Sequence, residues 1–300
     1  MKNCYSFVVA LCACLLAPGA RAVEVEAHAA AFAADILTEV AKLKAADPTA
    51  VPMAFWDFDG TIIKGDVSVG RPNGEDDNLL YKGLVQRTIE AGFVSCYDPQ
   101  TGWTKFWTED YPSLNQFGRW ISWPFLVQVL AGNETAKLDD FCHAEYEKTY
   151  RHWYFAASYR MLRTLEEAGV ENYIISASPE LYVRNADRTL NLPTSRFRGI
   201  RTKIVGGRVT TDVITPLPAG EGKVEAVREF VLARPHGVAI AAFGNSYSTD
   251  GAFLRYVATQ PSLPGGAKGT AVMINGHKTV PGYSEHFRCV EQDVTCGDLK

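Results

Sequence analysis

The chain has 300 residues, 47% of them apolar and 21% charged, with a formal net charge of −4. These are globular proportions, long enough for about two domains or for one α/β domain with a large insertion. Mild acidity without a basic run argues against a nucleic-acid partner, and no stretch reaches the roughly 18 apolar residues of a membrane-spanning helix.

The first 22 residues read as a secretory leader. Lys2 supplies the positive end, Phe7 to Leu16 the short apolar core, and Ala20-Arg21-Ala22 a small-x-small cleavage site. The mature chain is then expected to begin at Val23 in a secreted or periplasmic setting. Its charge moves from −4 to −6 because Lys2 and Arg21 are lost with no acid. Leu11-Cys12-Ala13-Cys14 leaves a lipoprotein leader as an alternative. Four cysteines survive cleavage: Cys96, Cys142, Cys289 and Cys296. An even number in an exported chain favours two disulfides, with Cys289–Cys296 and Cys96–Cys142 the first pairing to consider among three.

Val23 to Ala46 is Ala-rich, and Phe32, Ile36, Leu37, Val40 and Leu43 recur at helical spacing. Asp47-Pro48 ends that helix. A short apolar strand follows and runs into Asp57 and Asp59, after which Gly60 and Thr61 break it. Residues two apart on a strand share a side, and two acids at the mouth of a buried strand are costly unless they share a cation or do chemistry. From Leu79 to about Tyr154 the pattern is helical and rich in aromatic residues. These rings serve either as the core of a small helical unit or, for Trp103, Trp107, Tyr111, Trp120 and Trp123, as a cage for a quaternary ammonium.

Ala157 to Ala168 reads as a helix closed by Gly169. Glu171 to Ser178 is a buried strand that ends in small polar residues, and Pro179 suits the first turn of the next helix, which Ser178 could cap. Gly206-Gly207 between Ile204-Val205 and Val209 predicts a β-hairpin. Lys223 opens a helix running to about Leu232. Gly237 to Phe243 is another buried strand, ending in Gly244-Asn245-Ser246-Tyr247-Ser248-Thr249-Asp250. Ala271 to Asn275 fits a last strand, followed by a loop-rich tail. Strands alternating with helical patterns predict an α/β fold built on a doubly wound parallel sheet, with ligands beyond the C-terminal strand ends.

Asp57-Phe58-Asp59-Gly60-Thr61 resembles the DxDGT motif of the haloacid dehalogenase-like phosphohydrolases. The strand ending at Ser176, the Gly222-Lys223 pair and the Gly244-to-Asp250 segment resemble that family's later motifs in the right order. The resemblance implies a Rossmann-like core over 23–66 and 155–300, with a helical C1 cap over 67–154. It further implies Asp57 as nucleophile, Asp59 as general acid and base, and Lys223 and the Ser176 hydroxyl, with the Ala177 N–H, on the phosphoryl oxygens. Mg²⁺ would sit among Asp57, Asp59, Asn245 and Asp250. Asn245 departs from the commoner aspartate and removes one negative charge from that set. In the phosphoserine-phosphatase branch an acid placed like Asp66 meets the substrate's amino group. The expectation is therefore an exported, Mg²⁺-dependent hydrolase of a small phosphomonoester, phosphocholine or another cationic ester among the candidates. A phosphotransferase, or a phosphate-ligand binding protein weakened by Asn245, stays open beside it.

Overall fold

The computed structural model describes residues 18–72, 78–261, 263–276 and 278–298. Seven strands form one sheet in the order β4-β3-β2-β1-β5-β6-β7. They are β1 (Val51–Trp56), β2 (Glu171–Pro179), β3 (Phe197–Val205), β4 (Arg208–Ile214), β5 (Gly237–Gly244), β6 (Thr270–Ile274) and β7 (Arg288–Val290). All neighbours are parallel except β3 and β4, which form the hairpin turned by Gly206-Gly207. Both glycines have positive φ, 56° and 73°, as a two-residue hairpin turn requires. The expected doubly wound α/β sheet is thus formed. Two strands lie outside what the sequence suggested: β3 starts at Phe197, well before the hairpin, and β7 forms inside the supposed tail.

β1 sits at the centre of the sheet, so both of its faces are covered and its apolar run is unbroken. Ala54 and Trp56 face one core cluster with the buried stripe of α1 (Pro18–Ala46). Met53 and Phe55 face the other, under helices that follow β4 and β5. In α1 the buried residues are Ala29, Ala33, Ile36, Val40 and Leu43, spaced as an amphipathic helix needs. Burying Ile36 and Leu43 completely contributes about 1.5–3 kcal/mol each. α1 begins at Pro18 rather than Val23, so Ala20-Arg21-Ala22 lies within a helix; residues 1–17 of the expected leader fall outside the described residues.

Between β1 and β2 the chain is helical: α2 (Leu84–Glu90), α3 (Gly102–Lys105), a π-helical turn (Phe106–Asp110), α4 (Tyr111–Asn115), α5 (Arg119–Gln128), α6 (Thr135–Thr149) and α7 (Ala156–Glu167). The β3–β4 hairpin ties onto the α5–α6 connection. Gly132 N–H donates to the Val209 carbonyl (2.8 Å), Val209 N–H to the Asn133 carbonyl (3.0 Å), and Thr135 N–H to the Gly207 carbonyl (2.9 Å). Beyond β2 come two short helices, α8 (Glu180–Val183) and α9 (Asp187–Leu190). α10 (Glu221–Ala233) and α11 (Gly251–Thr259) cover the second face.

The two expected disulfides are not formed: Cys96, Cys142, Cys289 and Cys296 are not bridged. Cys142 is buried on α6 and Cys96 is exposed; Cys289 is exposed on β7 and Cys296 is half-buried.

One buried amide joins β1 to the helix before β2. Asn172, fully buried, accepts from the Trp56 indole N–H at 2.8 Å and donates to the Leu162 carbonyl (3.2 Å) and the Glu166 carboxylate (2.8 Å). Asn172→Ala leaves the Trp56 indole N–H unpaired in the core, at a cost of about 1–3 kcal/mol, and opens a small cavity, while Glu166 keeps its bonds from the Asn172 N–H and Arg196. We expect a urea midpoint shift equal to at least about 2 kcal/mol with an unchanged m-value.

Candidate functional site

Three strands deliver polar groups to one edge of the sheet. β1 ends at Trp56, and Asp57 follows with its N–H donating to the Phe243 carbonyl of β5 at 2.8 Å. The chain then turns sharply. Gly60, at φ 75°, donates to the Ile63 carbonyl (2.7 Å), and Thr61 and Ile62 both donate to the Phe58 carbonyl (3.2 and 2.9 Å). A side chain at that φ would be strained, which is why glycine follows Asp59. Because the acids lie in this turn and not in the strand, the two-residue alternation does not govern them. Asp57 and Asp59 are committed to different partners.

Asp57 is nearly buried, at 5% exposure. Its Oδ1 accepts from Lys223 Nζ at 2.5 Å and its Oδ2 from the Thr61 hydroxyl at 2.7 Å. Lys223 reaches it from the first turn of α10 and also donates to Asp250 Oδ1 at 2.7 Å. Lys223 and Asp250 are both fully buried. Asp250 Oδ2 accepts from the Asn245 and Ser246 backbone N–H groups at 3.0 and 2.9 Å, which closes the loop after β5. The Asp250 side chain lies against Gly244, where a Cβ would come within 2.5 Å of Asp250 Cβ. Glycine at the end of β5 is therefore the space in which Asp250 packs.

Asp59 faces the β2 end instead. Its Oδ1 accepts from the Val67 N–H at 2.7 Å; its Oδ2 accepts from the Ser178 hydroxyl at 2.7 Å and the Ser176 hydroxyl at 3.1 Å. Ser178 N–H also donates to the Ser176 hydroxyl, at 3.0 Å. Ser178 makes no capping bond to α8, so the capping role expected of it is replaced by a contact with Asp59. Ala177, between the two serines, is half-buried. Asp66 closes a turn: its Oδ1 accepts from the Ser68 and Val69 N–H groups at 2.7 and 3.1 Å.

Burial, and after it the Asp250 carboxylate, push Asp57 up to about 7 against the pull of Lys223. Burial, and after it Asp66, push Asp59 up to about 7 against hydrogen bonds from Val67, Ser178 and Ser176. Asp66 is raised by burial against its two backbone donors. Lys223 goes the other way: burial disfavours its charge, but Asp250 and Asp57 outweigh that and raise it. Four carboxylates, Asp57, Asp59, Asp66 and Asp250, thus stand against one ammonium, and the excess negative charge suits a divalent cation with hard oxygen ligands. Asp57, Asp59, Asn245 and Asp250 bring oxygen atoms to this end of the sheet, although both Asp250 side-chain oxygens are engaged by Lys223 and by the Asn245 and Ser246 N–H groups. Among the described residues no three His, Cys, Asp or Glu side chains gather as a metal-binding group. Mg²⁺ does not require one, since it keeps waters and takes one or two carboxylates plus substrate oxygens.

The five rings considered for a cation cage are otherwise engaged. Trp103 stacks on Trp107 (5.6 Å between centroids) and Trp107 on Tyr111 (5.7 Å). The Arg71 guanidinium lies 4.5 Å over Trp107, and Arg119 lies 5.9 Å over Trp120 and 5.3 Å over Trp123. Arg119 also donates to the Ser248 hydroxyl at 3.3 Å, which connects α5 to the loop holding Asp250. Thr61, Ser178 and Arg119 are site neighbours that the sequence reading did not assign. Thr61 was legible in the motif itself; the other two depend on how distant segments pack.

The family model described as haloacid dehalogenase-like hydrolase matches residues 54–255. A search of the curated proteins returns no match. Among solved structures, a protein of unknown function from Bordetella pertussis Tohama I is 16% identical. That match covers 81% of this chain and 99% of the other, with a TM-score of 0.57. A functionally unknown protein from Anaerococcus prevotii is 14% identical over 78% of this chain and 81% of its own, TM-score 0.51. These two likenesses are of fold. A phosphoserine phosphohydrolase-like protein from Francisella tularensis, 14% identical over 74% of this chain and 87% of its own, has a TM-score of 0.42, too low to bear on either fold or activity.

The raised carboxylates make a pH prediction. Their ordinary value is 3.8, so between about pH 4 and 7 the folded chain holds protons that the unfolded chain has released. Stability from this pair is therefore present at low pH and lost as pH rises through about 7. In chelator-treated protein the melting temperature should fall from pH 5 to pH 8, and Asp57→Asn should flatten part of that fall. Scanning fluorimetry across the range checks it; a melting temperature that climbs through this window contradicts the assignment.

Proposed function

This chain belongs to the haloacid dehalogenase-like hydrolase family, and from that membership we propose that it is an exported phosphomonoester hydrolase that works through a phospho-Asp57 intermediate. The observation that carries the reading is the buried Asp57–Lys223–Asp250 group at the ends of β1 and β5, with Lys223 Nζ 2.5 and 2.7 Å from the two carboxylates. Thr61 and Lys223 each hold one oxygen of Asp57, which fixes the carboxylate for attack on phosphorus. Asp57 forms the new P–O bond as the P–O bond to the alcohol breaks. Asp59 hands a proton to the departing alkoxide and then takes one from the water that cleaves the acyl phosphate. A pKa near 7 suits a group that must do both at neutral pH. Lys223 supplies positive charge to the phosphoryl oxygens, and Ser176, once it leaves Asp59, supplies a donor beside the Ala177 N–H. Mg²⁺ held by Asp57, the Asp59 carbonyl, Asn245 and Asp250 would neutralise charge on the transferring group.

The helical segment 67–154 is the proposed cap over this edge, and the leader is the basis for export. The substrate is a small organic phosphate. Its cationic version, phosphocholine or a relative, rests on Asp66 now that the five rings have partners of their own. The test is phosphate release with millimolar Mg²⁺ across phosphocholine, phosphoserine, phosphoethanolamine, sugar phosphates, nucleotides and an aryl phosphate. We expect release from at least one, lost with chelator, and a drop on the order of a thousandfold or more in Asp57→Asn. Full activity in Asp57→Asn would sink the nucleophile assignment; silence on every ester would leave the phosphatase reading without support.

A further inference from the structure

Residues beyond the family match reach back to the nucleophile turn. The Thr61 carbonyl accepts two hydrogen bonds, from the Ser158 hydroxyl at 2.7 Å and from Gln292 Nε2 at 3.2 Å. Gln292 Nε2 also donates to the Ser158 hydroxyl at 2.7 Å, and Gln292 Oε1 accepts from Ser158 N–H at 3.2 Å. Both serine hydroxyl functions, donor and acceptor, are therefore used, as are both lone pairs of the carbonyl. Thr61 and Ser158 are fully buried. Ser158 sits in the first turn of α7, and Gln292 follows β7, in the segment the sequence reading left as a loop-rich tail.

Gln292 is itself held. Its N–H donates to Asn275 Oδ1 at 2.7 Å, and Asn275 Nδ2 donates to the Gln292 carbonyl at 2.8 Å. This reciprocal pair works like one rung of a sheet and extends the β6–β7 pairing past its last residues. Asn275 takes the left-handed conformation, φ 52°, to make it, and its N–H donates to the Val290 carbonyl at 2.8 Å. Further along, Ala156 N–H donates to the Val294 carbonyl (3.0 Å) and Cys296 N–H to the Tyr154 carbonyl (2.8 Å). The tail is fastened on both sides of Gln292. The family match ends at residue 255, so Asn275 and Gln292 are features of this chain that the match does not describe.

We propose that Gln292 is a positioning residue for catalysis: it holds the Thr61 backbone, so that the Thr61 hydroxyl stays 2.7 Å from Asp57 Oδ2 and keeps the carboxylate aimed. Gln292 touches neither substrate nor reacting atoms and acts only through Thr61. A loosened turn lets Asp57 rotate about its side-chain bonds, and small misplacements of an attacking group lower the rate without weakening binding.

The catalytic part rests on the phosphatase reading, so the experiment has an arm that does not. Gln292→Met keeps side-chain length and packing and removes the amide; Gln292→Glu keeps the accepting oxygen and removes the donor, and replaces Gln292→Met if that variant does not fold. In hydrogen exchange, the peptide spanning 57–63 should exchange about tenfold faster in either variant, with β5 unchanged. With the substrate found in the panel, kcat should fall by between about tenfold and a hundredfold at constant KM. Thr61→Val combined with the Gln292 variant should be no slower than Thr61→Val alone, because Gln292 has no other route to Asp57. Unchanged exchange, an unchanged kcat, or losses that multiply in the double variant would each overturn the proposal. A wild-type chain inert on every ester would count against the phosphatase reading, while the exchange arm would still decide whether the brace exists.

Discussion

The buried lysine between two aspartates is the constraint on which the remainder of the site depends. Lys223, Asp57 and Asp250 come from three separate segments and meet where water is excluded. An ammonium taken into such a place is costly unless carboxylates surround it, and a carboxylate there is costly unless a cation does. Lys223 therefore needs both carboxylates, and each carboxylate needs Lys223. That mutual need fixes the start of α10, the loop after β5 and the turn after β1 relative to one another. It also leaves the group with surplus negative charge, since Asp66 raises Asp59 and Asp57 in turn raises Asp66. A protein that wanted only stability at this spot would use apolar residues. Retaining the charge is intelligible if the site binds a cation and attacks a phosphoester.

The acids on either side of Phe58 do different work because they have different neighbours. Asp57 is gripped at both oxygens, by an ammonium and a hydroxyl, which suits an attacking group that must not wander. Asp59 is held by two serine hydroxyls and one amide, groups that can rearrange as a proton comes and goes. Two acids of one type, two residues apart, are thus given different environments, as the two roles proposed for them require. The turn that makes this possible is short, and four of its own backbone hydrogen bonds do not lock it against the body of the protein. Ser158 and Gln292 add anchorage from α7 and from the far end of the chain, beside the backbone bonds from Asp57 N–H to the Phe243 carbonyl and from Phe155 N–H to the Ile62 carbonyl.

Around this edge the helical segment between β1 and β2 is joined to the core at several places. The β3–β4 hairpin pairs its backbone with the α5–α6 connection, and Arg119 reaches Ser248 in the loop that carries Asp250. Its aromatic residues stack on one another and under arginines, so their density reflects packing of a small helical unit more than a ligand cage.

The sheet class and the hydrolase family were legible in local sequence patterns, and the packing brings Asp57, Lys223 and Asp250 together at the strand ends. Apolar runs ending in Asp57, Ser176 and Asn245 are local patterns, and a strand buried on both faces must look like that whatever surrounds it. The hairpin was equally legible, because two consecutive glycines between β-branched residues have few other uses. What only the tertiary structure decided are the pairings across long separations. β7 is three residues long and exists because β6 offers an edge; nothing in Arg288-Cys289-Val290 announces it. Ser178 looked like a helix cap, but Pro179 takes the N-cap position of α8 and the Ser178 hydroxyl donates to Asp59 instead. The four cysteines suggested bridges by their number, yet whether two thiols meet depends on where the sheet and α6 carry them. Gln292, 231 positions from Thr61, had no local mark at all. A hydrogen bond is a property of two atoms in space, and a sequence specifies only one neighbourhood of each until the chain has folded.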